Sequence, residues 1–312
     1  MISAITRSGL LVYTFLVLFG VFSSSFAAEK LKPFILATGS ESDFSSTVEQ
    51  VREALVAGQF TVVGEYAPYE HAHIIMVTND DLIALTAKES NAAYMSAQRV
   101  AITQTKTGLQ IAYTNPAYFA NAYRISADVE PVTKQLAAAL GAVEQFGSKG
   151  LTAKQLRRYH YSFGMEYFHD RLELARYNNH QEALRAVEAS LASGRGGTGL
   201  VYRLDIPHSD ISVFGVALSE GMADDRRVME VIDHKTLKQT AHLPYELLVV
   251  GREVVALAPR FRIAIDFPDL RMVGEHGFTR IMATPDAIRK SLVLAAGGEW
   301  KDQSFAAMSP DR

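Results

Sequence analysis

VREALVAGQFTVVGEYAPYEHAHI, residues 51–74, sets out a helix, a glycine, a strand and a Pro/His turn in one line. The same order returns as VEASLASGRGGTGLVYRLDIPHSDI, residues 187–211. Gly58 matches Gly194, and His71 matches His208 after a one-residue insertion. Further out, RVAITQ (99–104) and GLQIAYTNP (108–116) read as two alternating strands. ELLVVG (246–251) and RFRIAIDFP (260–268) read as their counterparts across a longer hairpin. Tyr123-Arg124-Ile125 then corresponds to Thr279-Arg280-Ile281, each ahead of a proline-started, Ala/Leu-rich helix, at Pro131 and at Pro285. Shared landmarks in one order point to a tandem duplication. The expected architecture is α+β: two related modules, 34–147 and 155–300, each a small, mostly antiparallel sheet with helices on one face. Such copies can pack with approximate twofold symmetry inside one chain.

Local chemistry agrees with these elements. Ser46-Thr47-Val48-Glu49 has capping-box spacing, and Val48, Val51 and Leu55 fall on one helical face. Asn179 with Glu182 gives a matching start in the second half, and Thr284-Pro285 opens the last helix. Leu109, Ile111 and Tyr113 alternate with Gln110 and Ala112, as a half-buried strand requires. Tyr159, Tyr161, Phe163, Met165 and Tyr167 alternate too, which predicts a strand over 158–167.

The N-terminus carries the address. A short segment with one basic residue, Arg7, precedes the apolar run LLVYTFLVLFGVF at 10–22, and Ser23, Ser24, Ser25, Phe26, Ala27 and Ala28 follow. This is the layout of a secretory signal, with Ser25 and Ala27 suited to positions −3 and −1, so residues 1–27 are expected to be removed and the protein to be periplasmic or secreted. The alternative is an uncleaved membrane anchor, although the run is shorter than the roughly 20 apolar residues a bilayer core needs. No stable membrane span is expected after cleavage. The polar end, 301–312, is expected to be a disordered tail. The chain has no cysteine, which excludes disulfides, thiol redox chemistry, Cys-ligated metals and c-type haem. With 31 basic against 34 acidic side chains and no basic run, nucleic acid is not an expected partner.

GLQIAYTNPAYFA, residues 108–120, with the helix–Gly–strand opening, the mid-domain turn and the strand after Ala97-Gln98, resembles the domain of unknown function 302 family. The likeness is good over about 34–143 and looser over 159–298. It implies a compact α+β fold and brings no established reaction. Thr78-Asn79-Asp80 stands where the family has Gly-Asn-Pro, and Gly215-Val216-Ala217 takes that place in the second copy. The resemblance thereby implies a second copy whose turn has lost or altered any role.

Candidate chemistry is sparse. His71-Ala72-His73 is matched by His208-Ser209-Asp210. Residues two apart on a strand face one way, so each pair presents two possible ligands to a divalent metal, though a third must come from elsewhere. The plainer reading is an exposed polar turn entering a strand. No other cofactor is expected. Gly194 to Gly199 satisfies G-x-G-x-x-G, but it leaves a helix and enters a strand, the reverse of a dinucleotide loop. Glu166 and His169 form a lone E-x-x-H, and no nucleophile elbow, H-E-x-x-H or P-loop occurs. Tyr113, Asn115 and Tyr118, with Asn79, supply hydroxyl and amide anchors on an apolar wall and are the candidate ligand-binding residues; core packing is the competing reading.

The expected role is binding of a small ligand or an envelope partner at the groove between modules, with the first module the place to look. The rival is a metal-assisted enzyme using His71 and His73; a third reading is an envelope scaffold without a small ligand.

Overall fold

The computed structural model describes residues 29–301 other than Phe163. The expected signal segment and nearly all of the expected tail lie outside the described residues. The first half runs β1 (Lys30–Leu31), β2 (Phe34–Leu36), α1 (Phe44–Ala57), β3 (Thr61–Tyr66), β4 (Ala72–Thr78), α2 (Asp80–Lys88), a 3-10 segment (Ser90–Met95), β5 (Gln98–Thr105), β6 (Gly108–Thr114), α3 (Pro116–Ala122), α4 (Glu130–Leu140), β7 (Glu144–Phe146), β8 (Leu151–Thr152) and α5 (Ala153–Leu156). The second runs β9 (Leu172–Arg176), α6 (His180–Ala192), β10 (Thr198–Asp205), β11 (Ile211–Leu218), α7 (Asp225–Ile232), a 3-10 segment (Thr240–His242), β12 (Tyr245–Val250), β13 (Glu253–Ala256), α8 (Pro259–Asp266), a 3-10 turn (Phe278–Ile281) and α9 (Thr284–Ala295). The fold is α+β, with antiparallel strand pairing throughout. No helix among the described residues is long and apolar enough to cross a membrane.

Eleven strands form one sheet in the order β7-β2-β6-β5-β4-β3-β10-β11-β12-β13-β9. Read outward from the β3–β10 junction, both directions pass through a hairpin and a second hairpin; one then reaches β2 and β7, the other β9, while β1 pairs with β8 outside this sheet. An irregularity falls at the same place on each side, between Val62 and Gly64 in β3 and between Leu200 and Tyr202 in β10. The junction pairs Gly64 with Tyr202. A Cβ at Gly64 would stand 2.5 Å from the Val201 carbonyl oxygen and 2.7 Å from Tyr202 Cβ, closer than real side chains come. Tyr202 is itself buried, its ring lying where a Cβ on Gly215 would be. Two glycines therefore let one tyrosine occupy the seam.

Both faces of the central strands are covered. Every residue of β5 from Gln98 to Thr103 is buried. By alternation Arg99, Ala101 and Thr103 share one face, and that face meets the second half's 240–242 segment: Arg99 Nε donates to Ala241 O at 2.7 Å and the Thr103 hydroxyl donates to Thr240 Oγ1 at 2.8 Å. Helix α1 closes the first half's other face with Val48, Val51 and Leu55. It ends at Gly58, where a Cβ would lie 2.9 Å from Ala139 Cβ of α4.

The caps and irregular segments depart from expectation in instructive ways. Helix α1 is capped by Asp43, not by a Ser46/Glu49 box: the Asp43 carboxylate accepts from Ser46 N at 3.0 Å and from the Ser46 hydroxyl at 2.6 Å. A carboxylate is a stronger acceptor for orphan helix-start amides than a hydroxyl, and Glu49 turns to Arg52 instead. The Asn179 cap stands as expected, accepting from Glu182 N at 2.9 Å. The described residues of 158–167 form no strand. Their aromatics anchor an irregular segment: the Tyr159 hydroxyl donates to Ala264 O at 2.9 Å and that of Tyr161 to Leu270 O. Residues 260–268 are mostly helix α8, started by Pro259. Phe261 through Asp266 are all buried, and a helix buried on every side loses the one-sided period that marks helices in sequence. The second hairpin strand is instead Glu253–Ala256, so Ala258-Pro259, not Phe267-Pro268, follows it as Asn115-Pro116 follows β6. Likewise Gly215 takes the place of Met76 in its ladder, so the turn matching Thr78-Asn79-Asp80 comes two residues after Gly215-Val216-Ala217 begins.

Gly64→Ala is expected to lower unfolding stability by roughly 1–3 kcal/mol through overpacking of the seam. Gly39→Ala, where a new Cβ meets nothing within 4 Å, should stay within about 0.5 kcal/mol of wild type. Urea titrations of both variants check the pair.

Candidate functional site

The residues expected to bind a ligand are placed, one by one, in the framework. Asn79 caps α2, accepting from Leu82 N at 3.0 Å, and its amide donates to Gln135 Oε1 at 2.5 Å. Asn115 caps α3 and its Nδ2 donates to Lys32 O at 2.8 Å and Gln145 Oε1 at 3.0 Å. The Tyr113 hydroxyl donates to Gly141 O at 3.0 Å, and that of Tyr118 crosses to the second half, donating to Ile265 O at 2.7 Å. All four are buried, with their polar atoms engaged in holding elements together.

The histidine pairs separate as well. His71 lies outside β4, at φ +61°, and His208 sits at φ +59°. Each is the third residue of a turn, closed by Ala72 N donating to Tyr69 O (3.2 Å) and by Ser209 N donating to Ile206 O (3.3 Å). A left-handed residue breaks strand alternation, so His71 and His73 do not share a face as an extended H-x-H would. The match between His71 and His208 is thus one of turn geometry, a conformation histidine tolerates better than most residues. His73 lies on β4, its Nε2 2.6 Å from Glu65 Oε2. Glu65 also accepts from Arg52, whose hydrogen bonds hold its carboxyl below the usual range. Asp210 precedes β11, its carbonyl accepting from Gly251 N at 2.7 Å. Among the described residues no group of three His, Cys, Asp or Glu side chains is placed to hold a metal.

What sequence reading missed is a buried charge network across the two halves. Arg99 pairs with Glu246, whose other oxygen is 3.4 Å from Arg262 Nε. Arg262 pairs with Asp266 and donates to His242 O at 2.5 Å. His242 Nδ1 is 2.6 Å from Asp266 Oδ2. Arg262 Nη1 also lies 3.0 Å from Nδ1, and Nε2 is 3.3 Å from the Tyr245 hydroxyl. Burial, reinforced by Arg262, pushes His242 down to about 4, so the ring is neutral. Burial acts to raise Asp266, but Arg262 and the His242 hydrogen bond override it and leave the carboxyl below its ordinary range. One further acid bridges the halves. Asp225 accepts from Leu218 N at 3.0 Å and from the Tyr66 hydroxyl at 2.8 Å, and burial raises it to about 7.

Beside this network a cleft of about 330 Å³ opens between the halves. The first half contributes Tyr69, His71 and Thr103; the second contributes Met229, Asp233 and Lys238. The Tyr69 and Thr103 hydroxyls both donate to Thr240 Oγ1, at 3.3 and 2.8 Å. Asp233 accepts from the Gln239 backbone N–H on both oxygens, each at 3.0 Å, and burial raises it to about 7. The Lys238 ammonium donates to the Asp233 carbonyl at 2.6 Å. A carboxyl poised near neutrality can donate or accept a hydrogen bond, a property that concentrates at binding and catalytic sites. Of the sequence candidates only His71 reaches this cleft.

No protein-family model matches the sequence, and no curated protein does. Among solved structures the chain is similar to an uncharacterized conserved DUF302 protein from Bacillus stearothermophilus, at 17% identity over 34% of this chain and 93% of that one, with a TM-score of 0.30. A superposition that loose carries no argument about this chain.

Arg262→Met is expected to cost about 3–5 kcal/mol, because Asp266 would keep only a neutral histidine. Arg262→Met with Asp266→Asn should cost measurably less, and chemical denaturation of the two variants tests the difference. Asp225 has a pH signature. Its folded value of about 7 exceeds the ordinary 3.8, so the native state holds a proton that the unfolded chain releases. Stability from this group is complete at low pH and is lost as pH rises through about 7. The stability of wild type minus that of Asp225→Asn should therefore fall between pH 4 and 7 and level off above, as followed by urea midpoints at several pH values.

Proposed function

We infer that the chain is an exported protein built by tandem duplication of one α+β module of the domain of unknown function 302 type, and that it binds a small polar ligand in the cleft between its halves. The sequence layout of residues 1–27 supports export. The repeated landmarks, the matching strand order and the matching irregularities at Gly64 and Tyr202 support duplication with approximate twofold packing. One observation carries the binding reading: the 330 Å³ cleft takes walls from both halves and has Asp233, a buried carboxyl raised to about 7, beside the Tyr69 and Thr103 hydroxyls. Apolar contact from Met229 with a few convergent polar groups is the composition of small-molecule sites. The buried charge network beside it favours a preformed cleft, which lowers the ordering cost of binding.

The ligand class that fits is a small neutral or cationic molecule carrying hydroxyl or amine groups. Polyols, amino acids and primary amines are the probes. At a hundredfold excess over Kd, a true ligand stabilises the protein by about 2.7 kcal/mol, enough to raise Tm by a few degrees. Met229→Trp, which fills the cleft, and Asp233→Asn, which removes its acid, should each abolish the shift. If no probe shifts Tm, or if both variants respond as wild type does, the cleft is not a binding site and the scaffold reading takes its place.

A further inference from the structure

Arg124 and the segment from Lys154 to Arg158 lie about thirty residues apart, and the sequence around each reads as ordinary. The fold brings them together. Arg124, Lys154, Arg157 and Arg158 line a shallow basin of about 640 Å³, with no acidic residue in its lining. None of the four forms an ion pair with a described carboxylate. Arg124 Nε donates to Arg157 O at 3.0 Å, and Arg157 Nη2 donates back to Arg124 O at 3.1 Å. Arg157 Nη1 adds a bond to Ile125 O at 2.8 Å. Glu89 reaches this corner, but its carboxylate is taken by the Ser126 and Ala127 amides.

Neutral carbonyls fix two guanidinium groups next to each other, and neither pairs directly with a described carboxylate. Arg124 stands at φ +58° as the residue just past the end of α3, where its N–H bonds Asn121 O and that of Ile125 bonds Ala120 O, and this helix ending sets the position from which its side chain reaches Arg157. The two terminal nitrogens of Arg124 have no described protein partner. A planar donor fork of this kind matches the oxygens of phosphate bidentately, and nearby lysine or arginine adds charge without demanding fixed geometry. We propose that this basin binds a phosphate-type oxyanion, either free phosphate or the phosphate of a lipid headgroup. The site is independent of the inter-half cleft. It lies at the end of α3 and on α5, and it gives an acidic protein one locally cationic face.

The test uses the mature full-length chain with two probes: inorganic phosphate by titration calorimetry, and co-sedimentation with phosphatidylglycerol vesicles against phosphatidylcholine vesicles. The variant is Lys154→Glu with Arg158→Glu. Both side chains are exposed and make no described tertiary hydrogen bond, so an unchanged Tm verifies the fold. Saturable phosphate binding that weakens about tenfold or more in the variant supports the free anion. Selective sedimentation with phosphatidylglycerol, lost in the variant while free phosphate is not bound, supports the headgroup. Binding to neither probe, or binding that the double variant leaves unchanged, overturns the proposal.

Discussion

The pairing of Arg99 with Glu246, buried where the two halves of the sheet face each other, is the interaction on which the rest of the structure depends. Burying two charges is costly unless each finds a partner and its remaining hydrogen-bonding capacity is satisfied. Arg99 is satisfied only when both halves are in place, since its partners Glu246 and Ala241 O both belong to the second half, whereas Glu246 also has Arg262 within its own half. Displacement of one half would leave the pair broken in a dry interior. That penalty, more than any gain from the pair itself, ties the halves into one body. The seam at Gly64 and Tyr202 adds a steric requirement to the electrostatic one.

The two halves meet the same packing problem with different chemistry. Arg99 and Glu246 occupy the same place in their ladders. Around Arg99 the first half supplies aromatics: Phe119 lies under its guanidinium at 5.6 Å, and Tyr94 and Tyr123 pack nearby. Around Glu246 the second half supplies Arg262, Asp266 and His242. Counted from their proline starts, α3 and α8 place Phe119 opposite Arg262 and Tyr123 opposite Asp266. An apolar cluster on one side thus stands against an ionic one on the other, and the interface gains a polarity that two identical clusters would lack. The unpartnered Tyr94 and Tyr123 hydroxyls and Asp266 Oδ1 mark the boundary between them.

This asymmetry places the cleft. The turn carrying His71 meets α7 and the segment after it, where Asp233 and Lys238 are supplied by the second half. Asn79, Tyr113, Asn115 and Tyr118 looked like ligand anchors because buried amides and hydroxyls on an apolar wall have the same composition whether they hold a ligand or hold a fold. In each case the partner is a backbone group or side chain far along the chain, such as Gly141, Lys32 or Ile265, and composition cannot reveal which partner a polar atom finds.

The sequence by itself determined the α+β class, the Asn179 cap, the helices opened at Pro131 and Pro285 and the β5–β6 hairpin, since these depend on near neighbours: side-chain period, capping chemistry and turn residues. It misplaced the start of α1, the 158–167 segment and α8. At α1 a nearby carboxylate, Asp43, takes the cap, while in the other two stretches apparent alternation comes from burial on all sides or from scattered tertiary anchors, and local period loses its meaning. Only the tertiary structure decided which charges are buried, which halves of the sheet adjoin and where the cleft opens. Arg99 and Glu246, or Arg124 and Arg157, are unremarkable in sequence. Electrostatic consequence depends on distance and solvent exclusion, and both are set by the folded chain.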